Sequence, residues 1–339
     1  VTWTSSNPEL ATVDSNGLIK AGAKGGDVVI TATTKDGSNK SAKCEVIVEI
    51  FGAVDENTRD YTDSTYTGAN KNIKVPGGYA VGTSENVSKI ENGFVIQDNK
   101  GNQFVWVPVD NPNEMFEVVN GQNVGILYDF SGTNSTRKTY STTGYREPDI
   151  VTQYDGKDAK KDASYFTVAI SSTMTGEEFK TQLQNEFNQM KTSVETNKGF
   201  YIGRYEIGDL SKAQAVSKRN NFDINNQDWF VQYQRCKTIA NETKATSSMI
   251  WGCQWDATLR WFQKSTNSEV KNFPTNSEGK GNYQGTQLGG NRNIPTGSNN
   301  NYKVNNIYDM GGNVCDSTLE AYSSSIRVTR RRSLLFFAF

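Results

Sequence analysis

The sequence predicts a multidomain protein, an all-β sandwich fragment followed by a larger α+β domain. Three observations carry this. The first fifty residues alternate apolar and polar side chains between closely spaced turn signals. From about Ile90, helical periodicity appears beside strand patterns. Between the two lies a polar, Gly/Thr/Asn-rich stretch. The expected boundaries are therefore a sandwich fragment over 1–50, a linker with lead-in strands over 51–88, and a second domain over 89–339. A chain of 339 residues has room for both units.

In residues 1–50, Val28, Ile30 and Ala32 fall on one face of a strand, and Cys44, Val46 and Val48 on one face of another. Turns are expected at Asn7-Pro8, Ser15-Asn16-Gly17, Gly25-Gly26 and Lys35-Asp36-Gly37. The run Trp3-Thr4-Ser5-Ser6-Asn7-Pro8, then Ala11-Thr12-Val13-Asp14, Gly17 and Ile30-Thr31-Ala32, resembles a group 2 bacterial immunoglobulin-like domain. The resemblance implies a stalk module of a secreted or surface protein. Such domains begin two or three strands earlier, so an upstream part, with any secretion signal, is expected outside this chain.

In the second domain, Phe94-Val95-Ile96 and Phe104 to Val109 flank Asp98-Asn99-Lys100-Gly101-Asn102, which predicts a hairpin. Residues 110–170 carry little signal. Thr175-Gly176-Glu177-Glu178 reads as a capping box. Behind it, Phe179, Leu183, Phe187, Met190 and Val194 share one helix face, with an end expected near Gly199. A strand is expected over 199–206. A second helix fits Asp228 to Ala240, with Trp229, Tyr233, Cys236 and Ala240 inward, and a third fits Ser248 to Phe262, with Trp251, Trp255, Leu259 and Phe262 inward. That aromatic stripe is expected to be core. Residues 265–306 read as an irregular, Gly/Asn-rich loop region.

Composition removes several function classes. The chain has no histidine, so Ser-His-Asp and Cys-His nucleophiles are impossible and the commonest metal ligand is missing. The four cysteines, Cys44, Cys236, Cys253 and Cys315, contain no C-x-x-C pair, which argues against a structural zinc knuckle. Cys236 and Cys253 form the one plausible local disulfide; the other reading is four separate thiols, most of them buried. Net charge is −1, which gives no field to draw in nucleic acid. No run of ~18 apolar residues appears, so no membrane insertion is expected in this chain.

The richest segment is Asn306-Ile307-Tyr308-Asp309-Met310-Gly311-Gly312-Asn313-Val314-Cys315-Asp316. It resembles the G-L-Y-D-M-x-G-N-V-W-E-W signature of the formylglycine-generating (sulfatase-modifying-factor) superfamily. Phe200 to Glu206, Cys236, Ser248 to Asp256, Pro295-Thr296-Gly297-Ser298 and Arg327-Val328-Thr329-Arg330 match further landmarks of that family in order. The resemblance runs from about Ile90 to Ser333 and implies a variant of the C-type lectin fold. The departures are as informative. Cys315-Asp316-Ser317 replaces the family's W-E-W, and Arg330-Arg331-Arg332-Ser333-Leu334 replaces R-G-G-S-W. No cysteine follows Cys315, whereas the family's enzymes carry a redox-active cysteine pair further on. Formylglycine-generating activity is therefore not expected.

The resemblance also implies calcium, held by Asp309, Gly312, Val314 and Asp316, with Gly312 and Val314 offering backbone carbonyls. The alternative is that Asp309 caps a turn and Asp316 is a solvated loop acid. Together these readings predict a non-catalytic, adhesin-like binding protein, extracellular or at the bacterial cell surface. A lectin-fold domain rides on an immunoglobulin-like stalk and meets a protein or glycan ligand on a cell surface. The alternatives are an oxidase relative of the formylglycine-generating type and a structural spacer.

Overall fold

Alternation and turns build the N-terminal unit. β1 (Thr2–Ser5), β2 (Ala11–Val13), β3 (Ile19–Ala21), β4 (Gly26–Thr33) and β5 (Ser41–Val48) form an antiparallel three-stranded sheet, in the order β1-β4-β5, and a β2-β3 ribbon. Registers Trp3↔Ala32 and Val28↔Val46 place the apolar positions on one face. Ala11, Val28, Ile30 and Val48 are buried there, with Trp3, Leu10, Val13 and Val46 half-covering them. Asp14 Oδ1 accepts from the Asn16 and Leu18 amides at 2.8 and 2.9 Å and shapes the turn at Gly17. The Trp3 indole lies on that turn: a Cβ on Gly17 (φ +86°) would sit 2.6 Å from the ring. Cys44 shares its face with Val46 and Val48 but is exposed.

A computed structural model of the chain describes residues 1–138, 174–208, 216–219, 229–282, 294–313, 316–323 and 326–330. Among these, the second unit begins with β6 (Arg59–Thr62), β7 (Asn72–Val75) and β8 (Tyr79–Val81), then the short helix α1 (Glu85–Ser88). Residues 51–88 thus contain the lead-in strands but little free linker, because Tyr66, Ile73, Val75 and Tyr79 are buried in the second core.

The expected hairpin is β9 (Val95–Asp98) and β10 (Gln103–Pro108). Asp98 ties its turn, accepting from the Lys100 and Asn102 amides at 2.9 and 2.8 Å. The region after it, silent in sequence, holds β11 (Phe116–Val119) and β12 (Gln122–Gly125), joined by Asn120 and Gly121 at φ 51° and 79°. Both central residues of a two-residue turn at positive φ make the twist that hairpins favour. A second small ribbon pairs β13 (Tyr128–Asp129) with β14 (Thr136–Arg137).

Helix α2 (Gly176–Asn197) starts at the expected box: Thr175 Oγ1 accepts from the Glu178 amide at 3.2 Å, and Glu178 accepts from the Thr175 amide at 2.7 Å. Phe179, Leu183, Phe187, Met190 and Val194 are all buried. The left-handed residue that ends the helix is Lys198 (φ 58°), not Gly199. Gly199 opens β15 (Gly199–Gly203), where a Cβ would lie 2.3 Å from the Trp106 ring. The central sheet runs β15-β10-β9-β8.

Helix α3 (Trp229–Cys236) is shorter than its pattern. Residues after Cys236 tighten into three-residue turns, and Thr238 Oγ1 donates to the Arg235 carbonyl at 2.8 Å, a local bond that competes with helix continuation. Helix α4 (Gly252–Gln263) also begins late. The Ile250 carbonyl accepts from the Leu319 amide at 2.8 Å, holding the preceding segment extended. Trp251, Trp255, Leu259 and Phe262 are core, as are Cys236 and Cys253, which stand as separate thiols.

The remaining elements are α5 (Ser268–Asn272), β16 (Lys303–Val304), β17 (Ile307–Tyr308), β18 (Asp316–Ser323) and β19 (Ile326–Arg330). The first lies inside the stretch read as irregular loop, and so do Lys303 and Val304. Asp228, Val314, Cys315, Arg331, Arg332 and the terminal apolar run lie outside the described residues. The architecture is that of a β-rich multidomain chain with an N-terminal sandwich unit and a few helices.

Candidate functional site

Arg204 follows β15 and is fully buried. A guanidinium keeps its charge at ordinary pH, so burial requires acceptors for all its N–H groups. Nη1 donates to Glu49 Oε2 at 2.6 Å and Gln103 Oε1 at 2.9 Å. Nη2 donates to Glu49 Oε1 at 2.5 Å and Asn306 Oδ1 at 3.3 Å, and Nε to the Asn306 carbonyl at 3.1 Å. The pairing with Glu49 is bidentate, which adds direction to charge.

Glu49 stands one residue past β5, so this pair joins the sandwich to the second unit. Burial pushes its carboxyl up. Hydrogen bonds and charge from Arg204, with Lys303 and Arg219 behind, outweigh burial and hold it below the ordinary carboxylate range. The chain beyond Glu49 stays attached. The Ile50 carbonyl accepts from the Thr83 amide at 2.8 Å, Gly52 donates to the Val81 carbonyl at 2.9 Å, and the Asp55 carbonyl accepts from Gly78 at 2.7 Å. Residues 50–55 therefore run along β8. Gly25 packs on Ser84, where a Cβ would fall 2.1 Å from the serine Cβ. The joint is a zipped seam, not a swivel.

Beside the clamp, Tyr205 and Tyr308 stack with ring centroids 5.0 Å apart at 22°. Arg204 and Arg219 lie over the Tyr308 ring at 5.6 and 5.4 Å. Burial raises the Tyr205 phenol to about 12 against the opposing charge of Arg204. Arg219 Nε donates to the Gly297 carbonyl at 2.7 Å.

Asp309 is fully buried at φ 61°. Its Oδ2 accepts from Thr296 Oγ1 and from the Gly297 amide, both at 2.8 Å. Gly297 (φ 69°) needs to be glycine, since a Cβ would lie 2.6 Å from the Tyr205 ring. The Glu206 amide donates to Thr296 Oγ1 at 3.1 Å, and the side chain of Asn313 bonds Glu206 Oε2 and the Ile294 carbonyl. Three separate stretches singled out in sequence, 200–206, 295–298 and 306–313, thus meet in one buried polar knot.

Of the four residues expected to hold calcium, Asp309 and Gly312 fall in this knot. Gly312 (φ 105°) packs against the Asn282 backbone, where a Cβ would sit 2.6 Å from its carbonyl oxygen. The Asp316 backbone pairs with Arg330 at the start of β18, and Val314 lies outside the described residues. Calcium takes six to eight oxygens. Of the expected ligands, the described residues show one carboxylate, Asp309, whose Oδ2 already receives two hydrogen bonds, and Glu206 adds a second carboxylate to the knot. Among the described residues, no cluster of three or more Asp, Glu, Cys or His side chains is poised for a metal. At Asp309 the carboxylate holds a turn through Oδ2.

On the other side of Asn306 lies an open cleft of about 250 Å³. It is walled by Asn86, Asn92, Asn267, Asn305 and Asn306. Asn305 and Asn306 (φ 44° and 63°) are the two-residue turn between β16 and β17. Asn306 Nδ2 is committed, donating to the carbonyls of Asn86 at 2.6 Å and Gly93 at 2.8 Å. Gly93 seats the turn, because a Cβ there would lie 1.9 Å from the Asn305 carbonyl oxygen. By contrast, both amide atoms of Asn86 and Nδ2 of Asn305 are shielded from solvent without a hydrogen-bond partner. Each such atom costs about 1–3 kcal/mol.

Sequence reasoning missed Glu49, Gln103, Asn86 and Asn305, and gave Arg204 no role. A signal existed for the clamp. Glu49 interrupts the apolar run Val46-Ile47-Val48-Glu49-Ile50-Phe51, and Arg204 interrupts Phe200 to Tyr205. A lone charge in a buried strand needs a partner of opposite sign.

Residues 1–46 match the family model of the bacterial Ig-like domain (group 2), which makes the N-terminal unit a domain of that class. Two uncharacterized proteins of Clostridium acetobutylicum are each 54% identical to this chain over 48 residues. The matched segment is 14% of this chain and only 12% and 5% of those proteins. No solved structure matches the chain. No helix among the described residues is long and apolar enough to cross a membrane.

Proposed function

We propose that the chain is a non-catalytic binding module of a bacterial surface or secreted protein, in which a lectin-fold second domain is presented on an Ig-like stalk. The observation that carries this reading is the seam. Glu49 and Arg204 form a bidentate pair across it, and residues 50–55 zip onto β8. A rigidly oriented head suits a module that must offer one face outward, and a flexible tether would not need a buried charge pair. The knot formed by 200–206, 295–298 and 306–313 supports the lectin-fold reading, because the landmarks of the resembled family converge there. The chain has no histidine, the commonest general base of catalytic sites, which favours binding over catalysis in this part of the protein.

The test is direct. Fluorescently labelled chain is incubated with bacterial and animal cells, and a cysteine-containing sulfatase peptide is assayed for thiol oxidation in parallel. Saturable attachment with no oxidation is the expected result. Oxidation of the peptide would establish the enzyme reading instead. Attachment to no surface would favour a spacer.

A further inference from the structure

We propose that the cleft between α1, α5 and the β16–β17 turn binds a small carboxylate, with Lys303 as its counter-charge. This rests on the binding-module reading and names the ligand chemistry that such a module would take. The charges of the wall do not balance. Two ammonium groups, Lys280 and Lys303, line the cleft against one carboxylate, Glu269. Glu269 is already taken, since it pairs with Lys280 at 2.8 Å. Among the described residues, no carboxylate forms an ion pair with Lys303.

The groups behind Lys303 leave its charge unanswered as well. The residue is half-buried at the start of β16, opposite Tyr308 in the ribbon. Its ammonium lies 6.0 Å from the Tyr308 ring centroid, but Arg204 and Arg219 face the same ring at 5.6 and 5.4 Å. One ring cannot neutralise three cations. Of the two acids nearby, Glu49 gives both oxygens to Arg204, and Asp27 makes no ion pair with Lys303. Burial and the Arg204 charge, with Arg219 behind, disfavour the Lys303 ammonium more than Glu49 and Asp27 favour it. An anion seated in the cleft relieves that imbalance.

The surplus of one positive charge matches a monoanion. An ammonium attracts carboxylate and phosphate alike as a point charge, but the described wall has no arginine to chelate a dianion. The rest of the lining is uncharged: five asparagines with Val270 and Val304. The amide atoms of Asn86 and Asn305 that lack partners are shielded from solvent and take no part. At about 250 Å³ the cleft is below the usual size for drug-like ligands and suits one small unit. Its frame is preorganised. Asn306 is fixed between Arg204 and the carbonyls of Asn86 and Gly93, so the turn that follows Lys303 does not have to order when a ligand arrives.

The experiment titrates the full chain by calorimetry with glucuronate, N-acetylneuraminate and N-acetylglycine, each beside its methyl ester, and with inorganic phosphate. Two variants accompany it. Lys303→Gln removes the charge at similar length. Glu269→Gln, at an exposed position, frees Lys280 and adds one positive charge to the wall. The expected result is saturable binding of at least one carboxylate that weakens with salt, with its ester weaker by about tenfold or more. Lys303→Gln should lose about tenfold or more in affinity, and Glu269→Gln should gain about two- to fivefold. If Lys303→Gln fails to fold, Glu269→Gln decides alone, and an unchanged or weaker affinity there overturns the proposal. No binding up to about 10 mM of any carboxylate, esters that bind as well as their acids, a preference for phosphate, or affinity unchanged in a folded Lys303→Gln also overturns it. Cell attachment that persists while no carboxylate binds sinks the cleft assignment and leaves the binding-module reading intact.

Discussion

Removing one partner of the Glu49–Arg204 pair should uncouple the two units. Glu49→Leu leaves a fully buried guanidinium with two N–H groups unmatched. Breaking a buried ion pair from one side costs about 3–5 kcal/mol. The Glu49 side chain retains 15% exposure, so water reaches the joint and the lower end, about 3 kcal/mol, is expected. Arg204→Met is worse, near about 4–5 kcal/mol, because it orphans Gln103 and Asn306 as well as the carboxylate. The double variant removes both charges and should lose only about 2 kcal/mol, the residue being the two unsatisfied amides.

Urea unfolding followed by tryptophan fluorescence reads this out. Trp3 reports the Ig-like unit and the tryptophans at 106, 229, 251, 255 and 261 report the other. The native chain should unfold with coincident transitions. Glu49→Leu should separate them, and the double variant should be more stable than Arg204→Met alone. Simple additivity, with a coupling energy below about 0.5 kcal/mol, would refute the clamp as the element that joins the units.

Three further outcomes follow from the geometry. Glu49 has a depressed folded pKa, so its contribution is present above the ordinary glutamate value of about 4.3 and is lost as pH falls through the lower folded value; stability of the native chain should therefore drop more steeply below about pH 4.3 than that of Glu49→Leu, and parallel pH profiles would count against it. Asp309→Ala should cost about 2–3 kcal/mol with chelator present, because it strands the Thr296 hydroxyl and Gly297 amide. Millimolar calcium should not change that loss, and a calcium-dependent rise in midpoint that Asp309→Ala and Asp316→Ala both abolish would replace the turn with a metal loop. Gly199→Ala forces a Cβ to 2.3 Å from the Trp106 ring and should lose about 1–3 kcal/mol by overpacking, visible as a lower thermal midpoint.

Periodicity and capping make the long helix and the central hairpin legible. Five apolar residues at helical spacing behind a Thr175/Glu178 box leave few alternatives to α2. Pattern overextends the shorter helices at their ends. At α3 a local bond decides, as Thr238 turns back on Arg235; at α4 a tertiary one does, as the Leu319 amide donates to the Ile250 carbonyl, a partner that local pattern does not show. The β11–β12 hairpin is a different matter. Asn120-Gly121 between Val118-Val119 and Gln122 is a strong short-range turn signal, and the polar composition of its surroundings hides it. Lead-in strands over 51–88 are legible, but their burial is not, because Tyr66, Ile73 and Val75 are spaced too widely in polar sequence to announce a core.

The site is legible in parts for a physical reason. The Asn306–Asn313 segment draws attention through its resemblance to a family signature, and that signature carries a backbone demand: the structure puts Asn306, Asp309, Gly312 and Asn313 at positive φ. Pattern reveals such backbone demands. It does not reveal what a side chain touches 155 residues away, as Arg204 touches Glu49. One rule narrows that gap. A single charge within an apolar strand has few tolerable states: paired across the fold, or at an edge in water. Arginine cannot escape by losing its proton, so Arg204 already required a buried acid. Glu49, the one acid in an apolar run from 46 to 51, was the natural candidate. Which acid comes within reach of Arg204 is decided only by the assembled fold, where residues 50–55 zip along β8 and carry Glu49 to the guanidinium.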